Sequence, residues 1–130
     1  MSSLDRITVQ GLRLWAHVGV LEEERALGQW FELEATLLAD LGAAARGDDL
    51  GASLDYSRLI TALQHLARTT VCRTLEHYSE RMLDLVEALY GPVPIQLELR
   101  KCAAPVAGFS GRVSVTRQRH WPAALAGGRP

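Results

Sequence analysis

The sequence predicts an α+β fold in the order ββααββ, an antiparallel four-stranded sheet with two helices on one face. Three observations lead there. Apolar residues alternate at period two between Ile7 and Leu41, recur at the helical period between Leu59 and Leu89, and return to period two from Ile95. Glycine, proline and aspartate cluster at the joins between these stretches. With 130 residues the chain is a single domain large enough to bury a core.

In the first strand Ile7 and Val9 share one parity, whereas Leu12, Leu14, Ala16 and Val18 share the other. Gly11 lies at the switch, where a bulge re-aims a strand. The second strand carries Phe31, Leu33, Ala35, Leu37, Ala39 and Leu41 on one face, with Glu32, Glu34 and Thr36 on the other. A connection rich in glycine, alanine and aspartate follows, from Gly42 to Ser53.

The first helix presents Leu59, Ile60, Leu63, Leu66 and Ala67 as one stripe, and the second presents Leu75, Tyr78, Met82, Leu85, Val86 and Leu89. Thr74 reads as the N-cap of the second helix, and Gly91-Pro92 as its stop. The last two strands run from Pro94 to Lys101 and from Arg112 to Arg119, joined by a loop holding Pro105 and Gly108. The domain is expected to span residues 1–121. Residues 122–130 show no packing pattern and are expected to form a loose tail.

An open sheet of this kind leaves two edges and a second face to satisfy. Strand addition between copies, closing a barrel, answers both needs and makes a homo-oligomer the expectation. The competing device is an edge blunted by charge, for which Arg117 and Arg119 are candidates.

Composition narrows the function. A formal charge of −1 with no basic block argues against nucleic acid as a partner. The N-terminal Met1 to Arg6 lacks the apolar stretch of a signal peptide, and no segment is long enough to span a membrane. Cys72 and Cys102 read as free thiols of a reducing cytoplasm. His17, His65, His77 and His120 show no paired metal-ligand spacing, so no metal is expected. Trp15, Trp30 and Trp121 read as packing or subunit-contact residues.

Four polar clusters remain. Lys101 occupies the next position on the face of Ile95, Leu97 and Leu99, so its ammonium points where an apolar side chain was due. Such a lysine either snorkels to water or lines a pocket. Glu22, Glu23 and Glu24, between the first two strands, read by default as solvated charges. Asp55, in Leu54-Asp55-Tyr56, reads as a helix N-cap. Glu76, in the first turn of the second helix, lies off the apolar stripe and complements the helix dipole.

Taken in order, Val18-Gly19-Val20, Glu24 ahead of Gly28-Gln29, Leu54-Asp55-Tyr56, Leu75-Glu76 with Glu80-Arg81, and Lys101 resemble the dihydroneopterin aldolase family of the tunnelling fold. The resemblance runs from about Ile7 to Arg119. It implies a retro-aldol cleavage of 7,8-dihydroneopterin, in folate biosynthesis, to 6-hydroxymethyl-7,8-dihydropterin and glycolaldehyde. No metal, Schiff base or other cofactor is implied, because the dihydropterin has an imine beside the breaking bond that accepts the electron pair. The protein must grip the ring, move protons and exclude water.

By the same resemblance Glu76 anchors the pterin, helped by backbone groups of Leu75, and Lys101 is the general acid/base. A basic role requires that ammonium to be desolvated or to pass its proton through a water. Glu24 would hold the lysine and substrate in register. Tyr56 would be a catalytic residue from a neighbouring subunit, packed over the ring with its hydroxyl near the reacting carbons, with Leu54 beside the pterin and Val20 beside the trihydroxypropyl chain. The family's usual assembly is an octamer of two stacked four-subunit rings. Cys102 departs from the family's common proline after the lysine. Alternation sends its side chain to the face opposite Lys101. The same residues would also serve epimerisation of the side chain; the alternatives are a dihydroneopterin triphosphate epimerase, whose phosphates would call on Arg25 or Arg100, and a catalytically silent pterin-binding or assembly protein.

Overall fold

Val9 and Leu12 both pack against the core although their parities differ, and a bulge reconciles them. The structure is a computed structural model and describes residues 4–126. In strand β1 (Asp5–Val18) the register against β2 (Gln29–Ala39) steps from Val9↔Ala35 to Leu12↔Leu33. Gly11 absorbs the step at φ 69°, in the left-handed region that disfavours a side chain.

Strand β2 pairs antiparallel with β4 (Ile95–Lys101), which pairs antiparallel with β5 (Val113–Arg119). The four expected strands are therefore present, but the sheet has five, in the order β3-β1-β2-β4-β5. The addition corrects the four-stranded, wholly antiparallel expectation. Strand β3 is only Val71–Cys72 and runs parallel to His17–Val18 of β1. Two residues carry no readable alternation, and only the path of the chain between the helices brings them to that edge.

Helices α3 (Tyr56–Thr69) and α4 (Leu75–Tyr90) cover one face of the sheet. Leu59, Leu63, Tyr78 and Met82 meet Phe31, Leu33, Leu97 and Leu99 in a continuous core. Each fully buried leucine stabilises the fold by about 1.5–3 kcal/mol relative to exposure. The caps follow the sequence: Asp55 accepts from Ser57 N–H at 3.1 Å, and Thr74 accepts from His77 N–H at 3.1 Å. Gly91 ends α4 at φ 76°. Two connections expected as loops carry short helices instead, α1 (Glu22–Leu27) and α2 (Gly42–Gly47), the latter followed by a 3-10 turn at Leu50–Ala52.

The second face of the sheet is polar. Arg100 lies 3.4 Å from Glu32 and 3.0 Å from Glu98, while Trp15 and Trp30 meet edge to face at 5.2 Å and stay partly exposed. Arg117 and Arg119 do not blunt the edge of β5 by projecting along it. They sit opposite Leu97 and Ile95, on the helix side, and reach the carboxylates of α4. Arg119 pairs with Glu80 at 2.8 Å and Asp84 at 2.9 Å. Among the described residues, the outer edges of β5 and of β1 from Asp5 to Ala16 have no strand partner.

The stretch expected as a loose tail begins with a short helix, α5 (Ala123–Ala126), next to Trp121, which lies under the Arg6 guanidinium at 6.0 Å. Residues 127–130 of that expected tail lie outside the described residues.

Candidate active site

Because β1 and β4 end where β2 begins, one end of the sheet collects three chain segments that are distant in sequence. Lys101 is the last residue of β4 and continues the core-facing row of Ile95, Leu97 and Leu99, all buried. The lysine is partnered. Its Nζ donates to Glu24 Oε2 at 2.9 Å, and the two side chains are only 13% and 10% exposed.

Glu24 reaches the lysine because α1 turns it inward while Glu22 and Glu23 remain exposed. Its Oε1 accepts from the Leu21 N–H at 3.0 Å, closing the first turn of α1. Its Oε2 also accepts from Gln29 Nε2 at 2.8 Å, and that amide donates at 2.7 Å to the carbonyl of Val18. Burial pushes the Glu24 carboxyl upward, but the hydrogen bonds from Lys101, Leu21 and Gln29 together outweigh it and hold the group below its ordinary value. A carboxylate is thus stabilised in its charged form beside the ammonium. The approach needs Gly19, since a Cβ there would overlap Glu24 Cβ, Cδ and Oε1.

The adjoining loop is fixed by backbone. Gly19 N–H donates to Cys72 O at 3.0 Å, and Arg25 Nη1 donates to the carbonyls of Gly19 and Val20 at 2.9 and 2.7 Å. Val20 leaves its side chain 68% exposed beside this loop. Through β3 the loop is tied to the start of α4, where Leu75 packs against the core and Glu76 is exposed. Tyr78, in the same first turns, meets Phe31 edge to face at 5.6 Å, and Phe31 pairs with Lys101 in the sheet. Glu24, Lys101, Val20, Leu75 and Glu76 therefore share one end of the molecule.

Leu54 and Tyr56 do not. The Tyr90 hydroxyl, at the last residue of α4, donates to the carbonyl of Asp55. Glu76 and Tyr90 are separated by about 20 Å of helix. Tyr56 is accordingly at the far end of the same chain, 58% exposed, with Leu54 packed against the core beneath it.

Sequence reasoning missed two members of the cluster. Gln29 was visible beside Gly28, but nothing in its surroundings announces a hydrogen bond to Glu24. Arg25, a candidate phosphate contact only on the epimerase alternative, braces the Gly19 and Val20 carbonyls. Cys102 lines a cavity of about 260 Å³ with Arg13, Trp15 and Trp30, on the open face. Among the described residues, no group of three His, Cys, Asp or Glu side chains could hold a metal ion.

The family model described as "FolB: Dihydroneopterin aldolase" matches residues 7–118. The chain belongs to the dihydroneopterin aldolase family. A "Probable dihydroneopterin aldolase" from Synechocystis sp. is 31% identical over 112 residues, covering 86% of this chain and 95% of that protein. The Bacillus subtilis dihydroneopterin aldolase is 27% identical over 119 residues, covering 89% of this chain and 99% of its own. In fold, the Escherichia coli dihydroneopterin aldolase, solved in complex with neopterin, superposes with a TM-score of 0.79 at 22% identity, over 88% of this chain and 98% of that one. The dihydroneopterin aldolase reaction of folate biosynthesis is this chain's activity. The matched segment includes the whole Lys101–Glu24 cluster.

Proposed function

We propose that Lys101 and Glu24 carry the proton transfers of this aldolase, and that Glu76 anchors the pterin. The observation behind the reading is the 2.9 Å ion pair at one end of the sheet, nearly closed to solvent. A carboxylate at Glu76 can accept two hydrogen bonds from the amino group and adjacent N–H of a pterin, with Leu75 backbone groups beside it. Lys101, having first passed its own proton on through a water, takes the proton from the hydroxyl borne by the far carbon of the bond that breaks, the carbon that becomes the aldehyde. As that bond breaks, its electron pair passes into the ring imine and glycolaldehyde departs. Return of a proton to the ring-attached carbon gives 6-hydroxymethyl-7,8-dihydropterin. The ring's own imine is the electron sink, so the reaction calls for neither a metal nor a lysine Schiff base.

The site is completed by a second copy of the chain. Support comes from the roughly 20 Å of α4 between Glu76 and Tyr90 and from the unpaired outer edges of β1 and β5. Joining β5 of one copy to β1 of the next continues the antiparallel order and closes a barrel. The assembly on this reading is an octamer of two four-subunit rings, with Tyr56 and Leu54 of one subunit over the pterin held by another. The catalytic domain spans residues 1–121, with 122–130 as a tail, and works in the cytoplasm. No helix among the described residues is long and apolar enough to cross a membrane.

The triphosphate epimerase reading finds less support. Arg25 is engaged by the Gly19 and Val20 carbonyls, and Arg100 faces the opposite side of the sheet, held by Glu32 and Glu98. The test is to incubate the purified oligomer with 7,8-dihydroneopterin and a chelator and follow glycolaldehyde. Turnover that resists both chelator and borohydride supports the proposal. Turnover confined to the triphosphate substrate, or binding without turnover, would replace it with the epimerase or the silent module.

A further inference from the structure

Strand β5 shows a break in pattern like the one at Lys101. Its helix-facing row is Val113, Val115, Arg117 and Arg119, so two guanidiniums stand where two apolar side chains were due. They are used differently. Among the described residues, Arg119 reaches only side-chain carboxylates: Glu80, Asp84 and Glu87. Arg117 sends Nη2 to Glu80 Oε1 at 2.7 Å, but its Nη1 reaches Ser79 Oγ at 3.2 Å and the backbone carbonyl of Glu76 at 3.3 Å.

Ser79 is fully buried, and its hydroxyl donates to that same Glu76 carbonyl at 2.7 Å. The backbone of Glu76 is therefore gripped by two donors, one from its own helix and one from the sheet. Its carboxylate, by contrast, is exposed and has no hydrogen-bond or ion-pair partner among the described residues. The residue is clamped at its root and open at its tip.

Lys101 and Arg117 belong to the same ladder, four residues apart in register, since Lys101 pairs with Val113 and Leu97 with Arg117. We infer that Arg117 is a positioning residue for the pterin anchor: it locks the first turn of α4, and with it Glu76, at a fixed offset from the strand pair that carries Lys101. This rests on the proposed role of Glu76 as the anchor. The geometry suits an arginine alone, because a planar fork meets Glu80 with one arm and the Ser79–Glu76 pair with the other. Two groups that must touch one small ring tolerate little relative displacement, and a misplacement near 1 Å costs about a hundredfold in rate.

The experiment titrates the intact oligomer with pterin by fluorescence, for wild type, R117A, R117K, S79A, E76A and the R117A/E76A double variant, with thermal melts alongside. R117A is expected to weaken pterin binding roughly tenfold, and S79A to weaken it in the same direction. In the E76A background R117A should have no further effect, because its action passes through Glu76. R117K keeps a cation for Glu80 and should regain thermal stability without regaining affinity. If R117A does not fold, R117K and S79A carry the test. Wild-type affinity in R117A, or in both R117K and S79A, overturns the inference, as does an undiminished R117A effect in the E76A background. Failure of the wild-type protein to bind pterin at all would overturn the anchor reading itself, and this inference with it.

Discussion

The Lys101 ammonium meets the Glu24 carboxylate at 2.9 Å across a separation of 77 residues. One partner ends a strand that the core requires, and the other lies on a six-residue helix with no buried residue of its own. The pair is thus a tertiary contact between a rigid element and a light one, and its integrity depends on the groups around α1.

Replacing Lys101 by Met should lower kcat by roughly 10²–10⁴-fold, the range for a lost general acid/base, with little change in pterin affinity. Glu76→Ala should instead weaken binding by about 1.5–3 kcal/mol, as for hydrogen bonds to a charged group, with a smaller effect on kcat. Steady-state kinetics together with pterin titration separate the two. The opposite partition would reverse the assigned roles.

The Glu24 carboxyl, held below its ordinary 4.5, links the site to acid stability. A depressed folded-state value contributes stability that is fully present above the unfolded-state value and is lost as the pH falls through the folded one. Melting temperature followed downward from about pH 6 should therefore fall below the ordinary carboxylate range, and the decline should be shallower in Glu24→Gln. Parallel curves for the two proteins would detach Glu24 from acid unfolding.

Gly19→Ala places a methyl group on the Glu24 side chain, including its Cβ, which cannot move without the helix. The substitution should push α1 away from the sheet, open the Lys101 pair and cost about 1–3 kcal/mol, as for an overpacked contact. Catalytic efficiency is expected to fall at least tenfold while the oligomer persists. A crystal structure of the variant with the Glu24–Lys101 distance unchanged would refute this account.

Lys101 stands out from sequence alone, because a charge ending an apolar row is conspicuous whatever surrounds it. The helix caps Asp55 and Thr74 and the bulge at Gly11 are legible for the same reason: each is a local rule expressed by local residues. Glu24 is different. Three consecutive acids look solvated, and only the absence of a Cβ at Gly19 and the donors Gln29 and Lys101 make one of them an inward group. Strand β3 and the Arg117 clamp were illegible because both are set by where other elements happen to lie. A homo-oligomer can be reasoned from the unpaired edges of β1 and β5, whereas the octamer is only what the family resemblance implies.

If two chains build each site, mixing should rescue inactive variants. Tyr56→Ala and Lys101→Ala proteins, each inactive alone, should regain activity when co-expressed, with about a quarter of sites receiving both native residues in a random mixture. The measurement is specific activity of the co-purified hybrid. Activity no higher than that of the separate variants would place Tyr56 outside the site of any neighbour.

The hydrogen bond from Tyr90 to Asp55 has a consequence for how this fold can vary. It pins the start of one helix to the finish of the other, so that, if each site is shared between copies as proposed, α4 acts as a ruler between its two halves at opposite poles of each protomer. Adding or deleting one residue in α4 would turn one pole by about 100° relative to the other. A single such change would then spoil two catalytic centres at once, one at each pole, which makes the length of this helix far less free to drift than the length of any loop.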